Sequence, residues 1–405
     1  MSEFQRMFGS IARREACYRA AVTLVMFVTM LLTGGALYAS DYYVAVSGND
    51  TTGTGTKAQP WATITKADKA VMPGDTVHVG PGKYTDSVHT SHSGTAESPI
   101  IYISDVKWGA SINVTNDHAI WRNSGDYVYI EQFDVTSPDP SLNGAMYALA
   151  NGGSHCKIIG NHIHDVPAAN GLVTGWGGAG IENGNYSASD NDVFDNVVND
   201  IGPKQVNSLI HGIYLANKGG HCCNNFCYSN SGWGIHTWHG AEGAVISNNL
   251  CFNNLRGGIL IGSGEDGARP TSGDYFTVTN NICIYNGGPD YKWYKAYPIT
   301  ESGQTGPHNV YINNLCYGNT HDNLSEVLKV QPIGTIFADP KLINYKGDGS
   351  GDYHLSSQSP CIDAGTKTGA PSKDYDGVIR PQGKGYDIGP YEYTTHPVAG
   401  MLFSK

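Results

Sequence analysis

Glu182, Tyr214 and His236 each end a stretch of one make: Ala179-Gly180-Ile181-Glu182, His211-Gly212-Ile213-Tyr214 and Trp233-Gly234-Ile235-His236. A carboxylate, a phenol and an imidazole can all take up or release a proton, and histidine does so near neutral pH. Gly144-Ala145-Met146-Tyr147 before them and Gly257-Gly258-Ile259-Leu260 after them fit the same pattern. If each stretch is a strand with its apolar residue inward, the next residue faces out. Tyr147, Glu182, Tyr214, His236 and Leu260 then form a solvent-facing row, with neighbours one coil apart. Two residues further on, Leu149, Gly184, Ala216, Trp238 and Gly262 form a second outward row, whose small members leave room for a chain-like ligand. Loops and turns near this face add His239, Glu265, Asp266, Arg256, Arg269, Lys292 and Lys295.

Two reactions suit these groups. β-Elimination on a uronate-containing polysaccharide needs a cation for the substrate carboxylate, a base for the adjacent proton and an acid for the leaving oxygen. Arg256 or Arg269 can pair with the carboxylate, His236 can be the base, and Tyr214 can return the proton. His211 and His239 are alternative bases. Beyond residue 40 the chain has four arginines (Arg122, Arg256, Arg269 and Arg380), and two of them fall in this neighbourhood. Glycoside hydrolysis instead needs two carboxyl groups about 5–9 Å apart, for which Glu182 with Glu265 or Asp266 are the pairs. Trp233, Trp238, Lys292 and Lys295 are the expected substrate-binding side chains. A non-catalytic glycan-binding rod would need the aromatic residues alone.

What must position these groups is a repeat. Asn224-Asn225-Phe226-Cys227, Asn248-Asn249-Leu250-Cys251, Asn280-Asn281-Ile282-Cys283 and Asn313-Asn314-Leu315-Cys316 are near-copies. Each places a further asparagine three residues after its cysteine: Asn230, Asn254, Asn286 and Asn319. Weaker copies at Gly160-Asn161-His162-Ile163 and Asp195-Asn196-Val197-Val198 extend the cysteine column to Ile163 and Val198, with spacings of 35, 29, 24, 32 and 33 residues. Such a period with variable insertions marks a solenoid, and short strands in each repeat make it an all-β, right-handed parallel β-helix. The asparagines stack between coils, and the cysteine column points inward.

Composition agrees: Gly 52 supplies turns, and 15% charged residues is low for a helical chain. Arg6, Arg13, Arg14 and Arg19 precede the apolar run 20–32 and small residues through Ala39, which reads as a signal peptide over 1–40. That run is short of the roughly 20 residues of a membrane span, so no stable span is expected once the signal is cleaved, and the location is secreted or periplasmic. Removing 1–40 shifts the net charge from −11 to −13, which gives no electrostatic footprint for nucleic acid. A polysaccharide is the expected partner. Cys227, Cys251, Cys283 and Cys316 sit at equivalent strand positions with parallel Cβ directions, poor for disulfides, and read as buried hydrophobes. Cys156, Cys222, Cys223 and Cys361 are left undecided.

Residues 41–100 form an N-terminal cap with the first coils, in which 62–71 carries apolar residues at helical spacing. The β-helix proper runs over 101–392, and 393–405 is a tail. Within this frame 41–50 (DYYVAVSGND), 59–64 (QPWATI) and 73–77 (PGDTV) resemble the opening of bacterial right-handed parallel β-helix proteins of the pectate-lyase-like superfamily. Phe337-Ala338-Asp339-Pro340, 353–355 (YHL), 359–365 (SPCIDAG) and 386–392 (YDIGPYE) resemble the closing coil of the same group. The resemblance implies the right-handed parallel β-helix fold, which in that superfamily serves lyases, hydrolases, epimerases, phage fibres and plain binders. Many of its lyases use calcium held by acidic residues with a lysine or arginine base, whereas related alginate epimerases use histidine and arginine. The outward row has no lysine and no compact acidic trio, so the histidine–arginine version fits better. Calcium stays open as a cofactor, since several turn-rich acidic stretches could take it and none has the EF-hand pattern.

Overall fold

Each Asn-Asn-x-Cys stretch becomes a tight turn followed by a short strand. The first residue of the pair adopts a left-handed backbone, with φ of 56° at Asn224, 57° at Asn248, 55° at Asn280 and 51° at Asn313. Asparagine tolerates this conformation better than most residues. The computed structural model describes residues 39–115, 118–138, 146–167, 177–264, 273–287, 296–322 and 324–395. The segment read as a signal peptide lies outside the described residues, apart from Ala39 and Ser40.

The chain winds as a right-handed parallel β-helix. Most coils contribute one strand to each of three parallel sheets: sheet A with ten strands, sheet B with eight and sheet C with nine. One coil reads His221–Cys223 in A, Phe226–Tyr228 in C and Trp233–Thr237 in B. The next reads Val245–Ser247, Leu250–Phe252 and Gly257–Ser263. The cysteine column is in register throughout, from Ile163 against Val198 to Cys283 against Cys316. All eight cysteines of the described residues are buried free thiols, including the four left undecided by spacing.

Three ladders of side-chain amides hold the coils in phase. In the first, Asn161, Asn196, Asn225, Asn249 and Asn281 each donate Nδ2 to the Oδ1 of the next asparagine, ending at Asn314, at 2.9–3.1 Å. The second runs Asn230, Asn254, Asn286, Asn319 at 2.9–3.0 Å. The third, not anticipated from the repeat, starts at Thr90 and runs Asn123, Asn151, Asn183. It stops there because the next coil offers Leu215 in register. These amides are buried, and every donor except Asn183 Nδ2, where the third ladder ends, finds an acceptor among the described residues, which avoids a penalty of about 1–3 kcal/mol per unmet group.

The start of the solenoid is closed by a helix, Ile64–Asp68, with Ile64 and Ala67 buried beneath it. It is shorter than the expected 62–71, because the Ala67 carbonyl accepts from both Ala70 and Val71 and tightens the turn to an end.

The C-terminal segment departs from the closing coil that was expected. It runs back along the outside of sheet C. Asn313 donates to Ala364 O, Asn280 to Thr366 O, Asn248 to Asp387 O and Gly389 O, and Asn224 to Lys373 O. The Asn-Asn pair therefore divides its work: the second residue stacks inside, and the first holds this segment outside. Beneath it lies a second apolar layer in which Phe226, Phe252, Ile282 and Leu315 meet Tyr353, Leu355, Ile388 and Tyr391. Asp387 and Glu392 pin the segment locally. Glu392 accepts from buried Arg380 at 2.6 Å, and Asp387 accepts from the Asp363 amide at 2.6 Å.

Candidate functional site on sheet B

In sheet B the strands Gly178–Asn183, Ile210–Leu215, Trp233–Thr237 and Gly257–Ser263 do not alternate simply. The isoleucines Ile181, Ile213, Ile235 and Ile259 are fully buried, and the glycines just before them face inward as well. A Cβ on Gly212 would lie 2.8 Å from Asn230 Nδ2, one on Gly234 2.9 Å from Asn254 Nδ2, and one on Gly258 3.0 Å from Cys283 Sγ. The second ladder and the cysteine column thus require glycine at this step. Two consecutive inward residues leave the flanking positions on one outer face, so His211 and Tyr214 share it.

The register places Glu182 beside Tyr214, Tyr214 beside His236, and His236 beside Leu260, which in turn pairs with Thr300. Tyr147 is offset. It pairs with Ala179, and Ala150 stands beside Glu182. Leu149, expected outward, pairs with Ile181 and is fully buried. The motif of that coil is therefore Tyr147-Ala148-Leu149-Ala150, three residues later than its sequence alignment. The Asn151–Asn183 ladder contact is the signal that fixes this.

These side chains do not stand on an open staircase. They line a cavity of about 780 Å³ that touches six successive strands of sheet B, a run of about 24 Å at 4.8 Å per coil. His236 and His211 are buried at 8% and 4% exposure, and their rings stack at 3.9 Å. Tyr214 stacks on both, at 5.6 Å from His211 and 5.5 Å from His236, and Trp238 meets His236 at 5.6 Å. The glycines of the second row hold side chains and do not leave open space. Glu182 folds over Gly184, and the Trp238 ring lies across Gly262, Gly264 and Gly303. Arg256 enters the same cavity with its guanidinium 5.7 Å from the Trp233 ring. His239 lines it too, against Tyr186 at 4.7 Å. Tyr186 and Tyr297 were missed by sequence reasoning, because they come from loops and strand ends with no repeat signal. Arg269, Glu265, Asp266, Lys292 and Lys295 lie outside the described residues.

Burial sets the protonation states. It pushes His211 down to about 3, and drives His236 well below its ordinary value, with His211 and His239 adding to the effect. Both imidazoles are neutral at pH 7, and the Nδ1 of each is buried without a hydrogen-bond partner among the described residues. Burial, reinforced by Tyr186, Glu182 and Tyr147, raises Tyr214, so its phenol keeps its proton. Glu182 is pushed up to about 7 by burial, with Arg122 opposing. The cavity thus holds a deprotonated base, a protonated acid and a cation together. The second carboxylate on its wall, Glu301, is engaged by Tyr311 at 2.6 Å and Thr305 at 2.9 Å. Four coil steps separate Glu301 from Glu182, about 19 Å.

Residues 46–92, which form the opening strands and the cap helix, match a family model described as "Protein of unknown function (DUF1565)". No curated protein matches the chain in sequence. Among solved structures the chain is similar to pectate lyase Pel9A, with a TM-score of 0.62 and 18% identity over 88% of this chain and 96% of that one. It is also similar to an alginate lyase from Paenibacillus sp. str. FPU-7 (TM-score 0.42, 15% identity, 74% of this chain and 91% of that one). A third is XylC, solved with xylose (TM-score 0.46, 12% identity, 87% and 98%). At 18% identity, the likeness to Pel9A shows a shared parallel β-helix fold.

Proposed function

We propose that the sheet B cavity is the active site of an exported enzyme that cleaves an anionic, uronate-containing polysaccharide by β-elimination. The observation that carries this reading is the stack of neutral His236 and protonated Tyr214 with Arg256 at the edge of the same cavity. Arg256 pairs with the uronate carboxylate, which acidifies the adjacent C–H. The His236 imidazole takes that proton, the C–H electrons form a carbon–carbon double bond, and the bond to the leaving oxygen breaks. Tyr214 gives its proton to that oxygen. Trp233 and Trp238 line the cavity and give its wall aromatic surface beside which a sugar chain would lie. The fold of pectate lyase Pel9A, to which this chain is similar, is compatible with such a groove.

Glu182, held partly protonated at neutral pH, favours a second reading as the acid of a glycoside hydrolase. Glu301, the other carboxylate described on the cavity wall, is too distant to pair with it, because paired carboxyl groups work at about 5–9.5 Å, and the expected partners Glu265 and Asp266 lie outside the described residues. Incubation with pectate, alginate and glycosaminoglycans, with and without calcium, separates the two reactions. Elimination produces an unsaturated sugar that absorbs in the ultraviolet together with reducing ends, whereas hydrolysis produces reducing ends alone. New reducing ends without the ultraviolet product would overturn the elimination reading, and neither signal on any of these polymers would overturn both.

A further inference from the structure

Sheet C carries a second cluster, independent of the cavity. His162 and His164 occupy alternate positions of the strand His162–Val166, so both project from one face, and Asp134 is the register partner of His162 on the preceding coil. We propose that Asp134, His162 and His164 bind a divalent transition-metal ion of the zinc class, which clasps the two coils together.

The geometry is that of a site close to assembled. One ligating atom from each residue lies within 4.8 Å of the others. His164 Nε2 is 2.8 Å and His162 Nδ1 3.5 Å from Asp134 Oδ1. Zinc bonds of about 2.0–2.1 Å in a tetrahedral site separate neighbouring ligand atoms by about 3.3 Å, and the two observed distances bracket that value. The opposite nitrogen of each ring faces an oxygen acceptor: His162 Nε2 meets Asn199 Oδ1 at 3.1 Å, and His164 Nδ1 meets Asp165 Oδ2 at 2.9 Å. With a metal on the Asp134 side, those contacts would hold the N–H of each ring on its opposite nitrogen, the usual support of a metal-binding histidine; without metal, His164 Nε2 is hydrogen-bonded to Asp134 at 2.8 Å. The two rings stack at 4.1 Å, and Trp108 packs on His162 at 4.9 Å, which limits how far either can swing. Two imidazoles with one carboxylate suit zinc, cobalt or nickel. Calcium, which takes six to eight oxygens, is a poor match. A fourth position is left for water.

Untagged, chelator-stripped protein titrated calorimetrically with Zn²⁺ tests this, in parallel with Co²⁺ followed by its visible absorption. The expected result is one equivalent of Zn²⁺ bound at micromolar affinity or tighter, a Tm that rises with Zn²⁺, and a tetrahedral Co²⁺ spectrum. His164→Ala and Asp134→Asn should each weaken binding at least tenfold. Asp134→Asn is nearly isosteric, and a circular dichroism spectrum matching wild type shows that the loss is not one of folding. Absence of saturable Zn²⁺ binding in the wild type overturns the proposal, as does binding that both folded variants retain. In either case the cluster is an ion-paired histidine clamp without metal.

Discussion

His236→Ala is the sharpest perturbation of the proposed chemistry, because its effects on rate and on folding separate cleanly. The imidazole sits between the His211, Tyr214 and Trp238 rings, and its Nδ1 is buried without a hydrogen-bond partner among the described residues. Truncation forfeits ring packing but also removes an unpaired buried polar atom. These effects oppose one another, and the net stability change is expected at about 1 kcal/mol. Loss of a positioned general base costs 10²–10⁴ in rate, or about 3–5.5 kcal/mol of transition-state stabilisation at 1.36 kcal/mol per tenfold. The assay is initial formation of unsaturated product on the best polymer, with circular dichroism to confirm the fold. His236→Gln, polar but unable to act as base, should be as inactive as the alanine variant. The pH profile adds a sign. A base must be deprotonated to work, and burial with neighbouring His211 and His239 lowers His236, so the acid limb of kcat/KM should lie below the ordinary histidine value of about 6.5. A folded His236→Ala enzyme with more than a tenth of wild-type activity, or with an unchanged acid limb, would refute the assignment and pass the role to His211 or His239.

Asn249→Ala removes a ladder amide that donates to Cys222 O at 2.8 Å and Asn281 at 2.9 Å while accepting from Asn225. It should lower stability by about 3 kcal/mol in chemical denaturation, and a change under 1 kcal/mol would show that the ladder is replaceable. Arg380→Met breaks a fully buried ion pair and leaves Glu392 uncompensated, at a cost of about 3–5 kcal/mol. Hydrogen exchange should rise in 361–392 and in the sheet C strands beneath, and protection equal to wild type there would show that the segment does not depend on this pair. For His211 the folded value, about 3, lies below the unfolded value of about 6.5, so the unfolded chain binds the extra proton as pH falls. Its contribution is complete above pH 6.5 and is lost as pH drops toward 3. His211→Gln should flatten the stability profile between pH 4 and 6 by about 1.4 kcal/mol per unit, and an unchanged slope would exclude His211 as its source.

The sequence by itself determined the coil. The asparagine and cysteine columns repeat because each coil presents the same position to the same neighbours, so an amide that satisfies one turn satisfies the next. That periodicity sufficed to put Glu182, Tyr214 and His236 in one register. It failed at Tyr147, where Ala148-Leu149 replace the Gly-Ile pair and a nearby Gly-Ala-Met imitates it. Only the tertiary structure decided that the row lines a cavity, since its walls come from Tyr186, Tyr297 and Arg256, residues of loops and strand ends that no repeat constrains. It also decided where the C-terminal segment lies, held by asparagines up to 156 positions away. A local pattern fixes which way a side chain points from its own coil. What comes to cover that side chain, and therefore its charge state, depends on contacts between segments remote in the chain.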